Sequence, residues 1–314
     1  MNKREIKDFF GKFNLNSTMQ RIDATHPLDI YLGLSDEGYK TLFVMSKYEF
    51  DNVKSSKGIL VTQYKKEDEN ILTFKLNDKS IEDLFYIFCS DIIEATRHSQ
   101  KVHGNSAIIN RYLKWKELFA KEKLKILSEK EIKGLIGEIL FLNKYMIPTF
   151  GEENAINSWL GTMGSDQDYV INSTWYEIKS INSGAKGIEI SSMEQLDIDT
   201  IGKLVVVELN KTATTSKNAI NLNTLIENTL NNLQSMQAKE KFEEIIFNFG
   251  YIKDDEYDNY CFEMKRMKTY LVDENFPRIR RKLIPNEIIS INYEISTSEI
   301  EKYYKGDILW QMRN

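Results

Sequence analysis

Cysteine is scarce in this chain: two in 314 residues, Cys89 and Cys261, far apart and each in an apolar or aromatic setting. They give neither a zinc-type spacing nor a disulfide framework, which fits a reducing cytoplasm. Histidine is as thin, and His26, His98 and His103 are too scattered for a metal cluster or a triad. No uninterrupted apolar run approaches the length that spans a bilayer. The opening Met-Asn-Lys-Arg-Glu-Ile-Lys leads into polar sequence, not an apolar signal core. GxSxG, P-loop and GxGxxG motifs are missing too. These absences point to a soluble cytoplasmic protein with no membrane partner.

What is present is enough for a sizeable core: 41% hydrophobic and 28% charged residues, one large or two ordinary domains. The net charge of −5 argues against a generally basic nucleic-acid binder, yet it is uneven. Arg97, Lys101, Arg111, Lys114, Lys116, Lys121, Lys123 and Lys125 face only Glu117 and Glu122, so residues 97–125 carry +6 and the remainder −11. Arg278, Arg280, Arg281 and Lys282 form a second basic knot. Taken alone, each cluster reads as a solvated face. Beside a site for phosphate chemistry, Arg111, Lys114, Arg278, Arg280 and Arg281 become candidates for contacts to a DNA backbone.

Residues 1–100 read as a mainly β domain closed by a helix. Strands are expected over 29–34, 40–45, 58–65 and 71–76, and Ser80 reads as the cap of the helix that follows. A basic helix from about Ser106 carries Ile108, Ile109, Tyr112, Trp115 and Phe119 at helical spacing, which reads as core packing. Ser128-Glu129-Lys130-Glu131 is a capping box, opening a helix whose apolar stripe is Ile132, Leu135, Ile136, Ile139 and Leu142. Glu138 borders that stripe. Gly134 and Gly137 weaken the helix, which implies close approach of another element. Residues 187–191 read as a strand, and Ser192-Met193-Glu194-Gln195 as a second capping box closed by Gln195. Residues 202–209 form an apolar run expected to be buried on both faces. A helix is expected over 221–237, then strands over 242–251, 260–264 and 287–295.

The stretch from Gly164 to Ser180 carries the chemistry. Two predicted strands, 167–171 and 175–181, flank the turn Asn172-Ser173-Thr174. Period-2 alternation puts Glu177 and Lys179 on one face and Ile178 on the other, with Asp168 able to lie across from the pair. Two carboxylates suit a hard divalent cation, and the lysine can serve the same reacting group.

The order from the helix with Glu138, through the strands with Asp168 and with Glu177-Ile178-Lys179, to a further strand, the turn with Gln195 and the buried strand resembles the αβββαβ core of the PD-(D/E)XK nuclease superfamily. Gly134 to Glu138, Trp159, Gly161, Asp168-Tyr169, Tyr176 to Ser180, Ile190 to Leu196, Gly250-Tyr251 and Phe276-Pro277-Arg278 resemble one bacterial family of PD-(D/E)XK motif proteins. The resemblance implies an α/β (α+β), restriction-endonuclease-like core over 101–240, with the β domain before it and a C-terminal α/β extension over 241–314. It implies that Asp168, Glu177 and Lys179 are the motif residues, Glu138 the helical acid and Gln195 the downstream glutamine. Asp168, Glu177 and the Ile178 carbonyl would hold Mg2+, with Mn2+ able to substitute. Gln167 stands where the superfamily's name has proline, and Asp166 competes with Asp168 for first acid. The implied activity is magnesium-dependent cleavage of double-stranded DNA within a restriction or phage-defence system, beside ATPase and methyltransferase components. Cutting both strands would need a homodimer or a second active site. RNA or branched DNA could use the same site. The competing class is a non-catalytic DNA-binding or assembly subunit on the same scaffold.

Overall fold

A computed structural model describes residues 1–13, 19–120, 127–161 and 164–307. The chain divides into two compact units, Met1–Ile126 with Ile252–Asp255, and Leu127–Tyr251 with Glu256–Asn314.

The first unit holds α1 (Lys3–Phe10), β1 (Met19–Arg21), β2 (Asp29–Leu34), β3 (Lys40–Ser46), β4 (Ile59–Lys66), β5 (Glu69–Leu76), α2 (Glu82–Ala95) and α3 (Lys101–Ala120). Its strands form an antiparallel sheet in the order β1-β2-β3-β5-β4. One face carries Ile30, Leu32, Leu42, Val44, Leu72 and Phe74, all buried. Phe74 lies 5.4 Å from Phe88 of α2 and 4.9 Å from Tyr112 of α3, centroid to centroid. Phe88 meets Trp115 edge-on. The aromatic stripe of α3 is therefore core of this unit, and α3 belongs with the β-rich segment and not with the domain that sequence opens at residue 101. Ser80 is not a cap. Its amide instead donates to Asp78 at 2.9 Å, starting a 3-10 turn that runs into α2.

The second unit contains α4 (Glu129–Phe141), α5 (Ile147–Phe150), α6 (Glu152–Asn157), β6 (Tyr169–Ile171), β7 (Thr174–Ile181), β8 (Gly187–Ile190), β9 (Gly202–Lys211), α7 (Leu222–Asn232), α8 (Met236–Phe249), β10 (Phe262–Val272), β11 (Tyr293–Ser296) and β12 (Tyr304–Asp307). The Ser128–Glu131 capping box closes in both directions and fixes the start of α4. The main sheet runs β12-β10-β9-β7-β6, with β7 and β9 parallel and every other pair antiparallel. β9 is buried from Leu204 to Leu209, as expected for a strand covered on both faces. The β6–β7 link is a two-residue turn with Asn172 and Ser173 at φ 49° and 61°, the left-handed geometry that matches hairpin twist.

Five expectations change. The strand at 187–190 does not join the main sheet. It pairs with β11 as a two-stranded layer, and Ile188, Ile190, Leu196 and Ile295 pack on Trp175, Leu204, Val206, Tyr270 and Val272 of the main sheet. Residues 242–251, β-rich by composition, are mostly helix. Ala238, Phe242, Ile245 and Ile246 bury one stripe of α8, and Gly250 ends it at φ 101°. The helix expected over 221–237 breaks at Leu233, where the backbone is extended, and Glu152 accepts from the amides of Gln234 and Ser235. The C-terminal residues are thus part of the core sheet, through β10 and β12. Of 287–295, only the last three residues enter β11.

α4 lies on the other face, with Phe141 5.3 Å from Tyr176. A Cβ on Gly137 would stand 2.0 Å from the Ser180 hydroxyl of β7, whereas one on Gly134 would meet nothing. Only Gly137 marks a close approach. Gly134→Ala should accordingly raise stability by about 0.5 to 1 kcal/mol through helix propensity, and Gly137→Val should lower it by about 1 to 3 kcal/mol through overpacking. Urea titration of both variants checks this; equal midpoints would show that helix and strand do not press together there.

Candidate active site

The hairpin β6–β7 pairs Tyr169 with Tyr176 and Ile171 with Thr174, which carries Asp168 to the level of Glu177. The Asp168 carboxylate accepts the Ile178 amide at 2.7 Å, so the first acid is tied to the strand bearing the second. Behind it the chain at 158–161 runs alongside: Leu160 and Gly161 donate to the Asp168 carbonyl, and Val170 donates to that of Ser158. A Cβ on Gly161 would come 2.9 Å from an Asp168 carboxylate oxygen, so the small residue there makes room for the acid. Asp166, the competing candidate, is exposed.

Glu177 is 1% exposed and pairs through Oε1 with the Lys179 ammonium at 2.8 Å. Its Oε2 is buried with no hydrogen-bond partner. Lys179 also donates to the Gln195 side-chain oxygen at 2.9 Å, and the Ser191 amide donates to that same oxygen. Gln195 therefore does not close a capping box; no side-chain cap forms at Ser192. Gln167 replaces proline usefully, donating its side-chain amide to the Glu194 carbonyl and tying the hairpin to the 3-10 turn over 193–195. Glu138 is nine-tenths buried. It accepts from the Trp159 indole at 2.7 Å, and its carbonyl accepts from the Tyr169 hydroxyl.

The five residues Glu138, Asp168, Glu177, Lys179 and Gln195 thus meet in one place, and their charges are felt mutually. Burial, then the charge of Asp168, drives the Glu138 and Glu177 carboxyls well above their usual range, against the pull of Lys179. Burial pushes Asp168 up to about 6, opposed by the Ile178 amide and Lys179. Three carboxylates facing one ammonium cannot all ionise in a dry site. Among the described residues, no group of three or more His, Cys, Asp or Glu stands as a finished metal cage. The donor set still fits a hard cation: two convergent carboxylates, one with an orphaned buried oxygen, and an excess of potential negative charge.

The basic candidates are placed differently. Arg111 is bound to Asp91 through two nitrogens. Arg278 braces the carbonyls of Leu196 and Ile198, both at 2.7 Å. Arg280 pairs with Asp197 and Asp199. Arg281 donates its guanidinium to the Ile288 carbonyl and its amide to Asp197. These four side chains are engaged within the protein, and of the five candidates only Lys114 is exposed. Lys121, Glu122, Lys123 and Lys125 lie outside the described residues. Trp159 and Gly161 belong to the family resemblance but carried no role in it. Their positions just before the hairpin, one bulky donor and one residue without a side chain, were the available signal.

The raised Asp168 carboxyl gives a pH prediction. A folded pKa of about 6 against an ordinary one near 3.9 favours the protonated, folded state at low pH, and that advantage is lost as pH rises through about 6. In metal-free buffer the unfolding free energy should fall by up to about 3 kcal/mol between pH 4 and pH 7.5 from this group. Asp168→Asn should flatten that slope; a slope unchanged by the substitution would contradict the assignment.

No helix among the described residues is long and apolar enough to cross a membrane. No curated protein and no solved structure matches the chain. The family described as "Putative PD-(D/E)XK family member, (DUF4420)" matches residues 10–298, nearly the whole chain and all of the hairpin site. The superfamily is made up mostly of nucleases that use divalent metals, and this protein, with its nuclease-like α/β scaffold, belongs to the DUF4420 family of that superfamily.

Proposed function

We propose that the protein is a divalent-metal-dependent endonuclease that hydrolyses DNA phosphodiester bonds, working as the cleavage component of a restriction-type or phage-defence system. The observation that carries this reading is the orphaned Glu177 oxygen among three crowded carboxyl groups, a deficit of positive charge that a cation would fill. Asp168, Glu177 and the Ile178 carbonyl would hold Mg2+, or Mn2+ in its place. Bound there, the ion would supply Lewis acidity and a more acidic water. Lys179, held between Glu177 and Gln195, would place its ammonium on the scissile phosphate and orient the attacking water. Gln195 keeps the lysine aimed, and Glu138, steadied by Trp159, would take up a proton or a bound water beside Asp168. Double-stranded DNA is the substrate of this reading, with ATPase and methyltransferase components as partners.

A second reading, a non-catalytic DNA-binding or assembly subunit, draws on the near-complete burial of Glu177 and on the internal pairing of the arginines. A magnesium-dependent cleavage assay on plasmid DNA separates the two. Lys179→Ala should cut activity by about 10²- to 10⁴-fold while the fold persists, because Glu177 can take a proton once its partner is gone. Cleavage at the wild-type rate in that variant would refute the role given to the lysine. Glu177→Ala should weaken Mn2+ binding in calorimetry, and an unchanged affinity would remove it as a ligand.

A further inference from the structure

On the face of β7 opposite Glu177, a cavity of about 400 Å3 is lined by Phe141, Lys144, Tyr145, Tyr176, Lys203, Thr269, Lys305, Gly306 and Asp307. Three ammonium groups converge on it from three elements, against one carboxylate. Lys203 projects from β9 over the rings of Tyr145 and Tyr176, at 5.8 and 5.4 Å from their centroids. Lys305 stands exposed on edge strand β12. Lys144 and Tyr145 come from Leu142–Met146, where α4 loosens into a π-helical turn, a feature concentrated at functional sites. Burial lowers the Lys144 ammonium to about 8. The size lies within the range of small-molecule sites.

We propose that this cavity is a phosphate-binding site, taking a small phosphate-bearing anion such as pyrophosphate or a nucleoside diphosphate. Lysines act as point charges toward phosphate, and the ring cluster of Phe141, Tyr145 and Tyr176 gives the apolar floor against which such an anion loses its water. The inference does not depend on the catalytic reading, since Tyr176 and Glu177 point to opposite faces of one strand.

Isothermal calorimetry of the full chain with pyrophosphate and with ADP tests it. One anion should bind per chain, with affinity falling about tenfold in Lys305→Gln and in Lys203→Met, the loss of one charge-assisted contact, and retained in Lys179→Ala. Lys305 lies at the surface, so its variant reports on binding alone; near-UV circular dichroism checks the fold of Lys203→Met. A short DNA duplex competing with pyrophosphate distinguishes the source: displacement assigns the site to a DNA backbone phosphate, no displacement to a free anion. Absence of heat from both anions at millimolar concentration, or equal affinity in wild type and both lysine variants, overturns the proposal.

Discussion

The second unit is organised around a charge imbalance in a place with little water. Glu177 is sealed into the sheet with a single ammonium beside it, while Asp168 and Glu138 add two more acids to the same spot. Keeping a carboxyl protonated at pH 7 costs about 3 to 4 kcal/mol against an ordinary pKa. An uncompensated buried ion costs several kcal/mol more than a paired one. Protonation therefore wins in the metal-free protein, and a divalent cation would win over both. Holding an acid cluster in that state is a poor use of a core and a sensible use of a site.

The surrounding structure serves to keep those groups in place. The left-handed turn at Asn172 and Ser173 sets the hairpin register, and the register puts Asp168 within reach of the Ile178 amide. Gly137 lets α4 approach β7 closely enough for Glu138 to share the cluster. The β8–β11 layer closes the opposite face, and Arg278 pins the loop after Gln195. Each contact is modest. Together they fix a side-chain geometry that no single strand or helix could hold.

Much of this was legible in the sequence, and the reasons differ by element. Alternation in Tyr176-Glu177-Ile178-Lys179 specified the face of each side chain, because a strand's period admits no other choice once Ile178 is buried. The α3 stripe and the Ser128 box were equally plain. Gln195 read two ways, as the close of a capping box from its spacing and as the downstream glutamine from the resemblance, and only the Lys179 ammonium, sixteen positions away, decides between them. Residues 242–251 misled through composition: Phe, Ile and Tyr favour strands locally, but helical burial of Phe242, Ile245 and Ile246 overrode that preference. The pairing of β8 with β11 joins residues about a hundred positions apart, and nothing local announces it. Arg278 and Arg280 looked free for phosphate because their partners, the carbonyls of Leu196 and Ile198 for the first and Asp197 and Asp199 for the second, arrive from a distant turn.

The most direct test of the account is a carboxyl-carbon NMR titration of the metal-free protein, repeated with saturating Mg2+. Glu138, Asp168 and Glu177 should titrate together, with at least one at or above pH 6, and Mg2+ should move the coupled titration to markedly lower pH. Three ordinary carboxyl titrations near pH 4, indifferent to Mg2+, would contradict it.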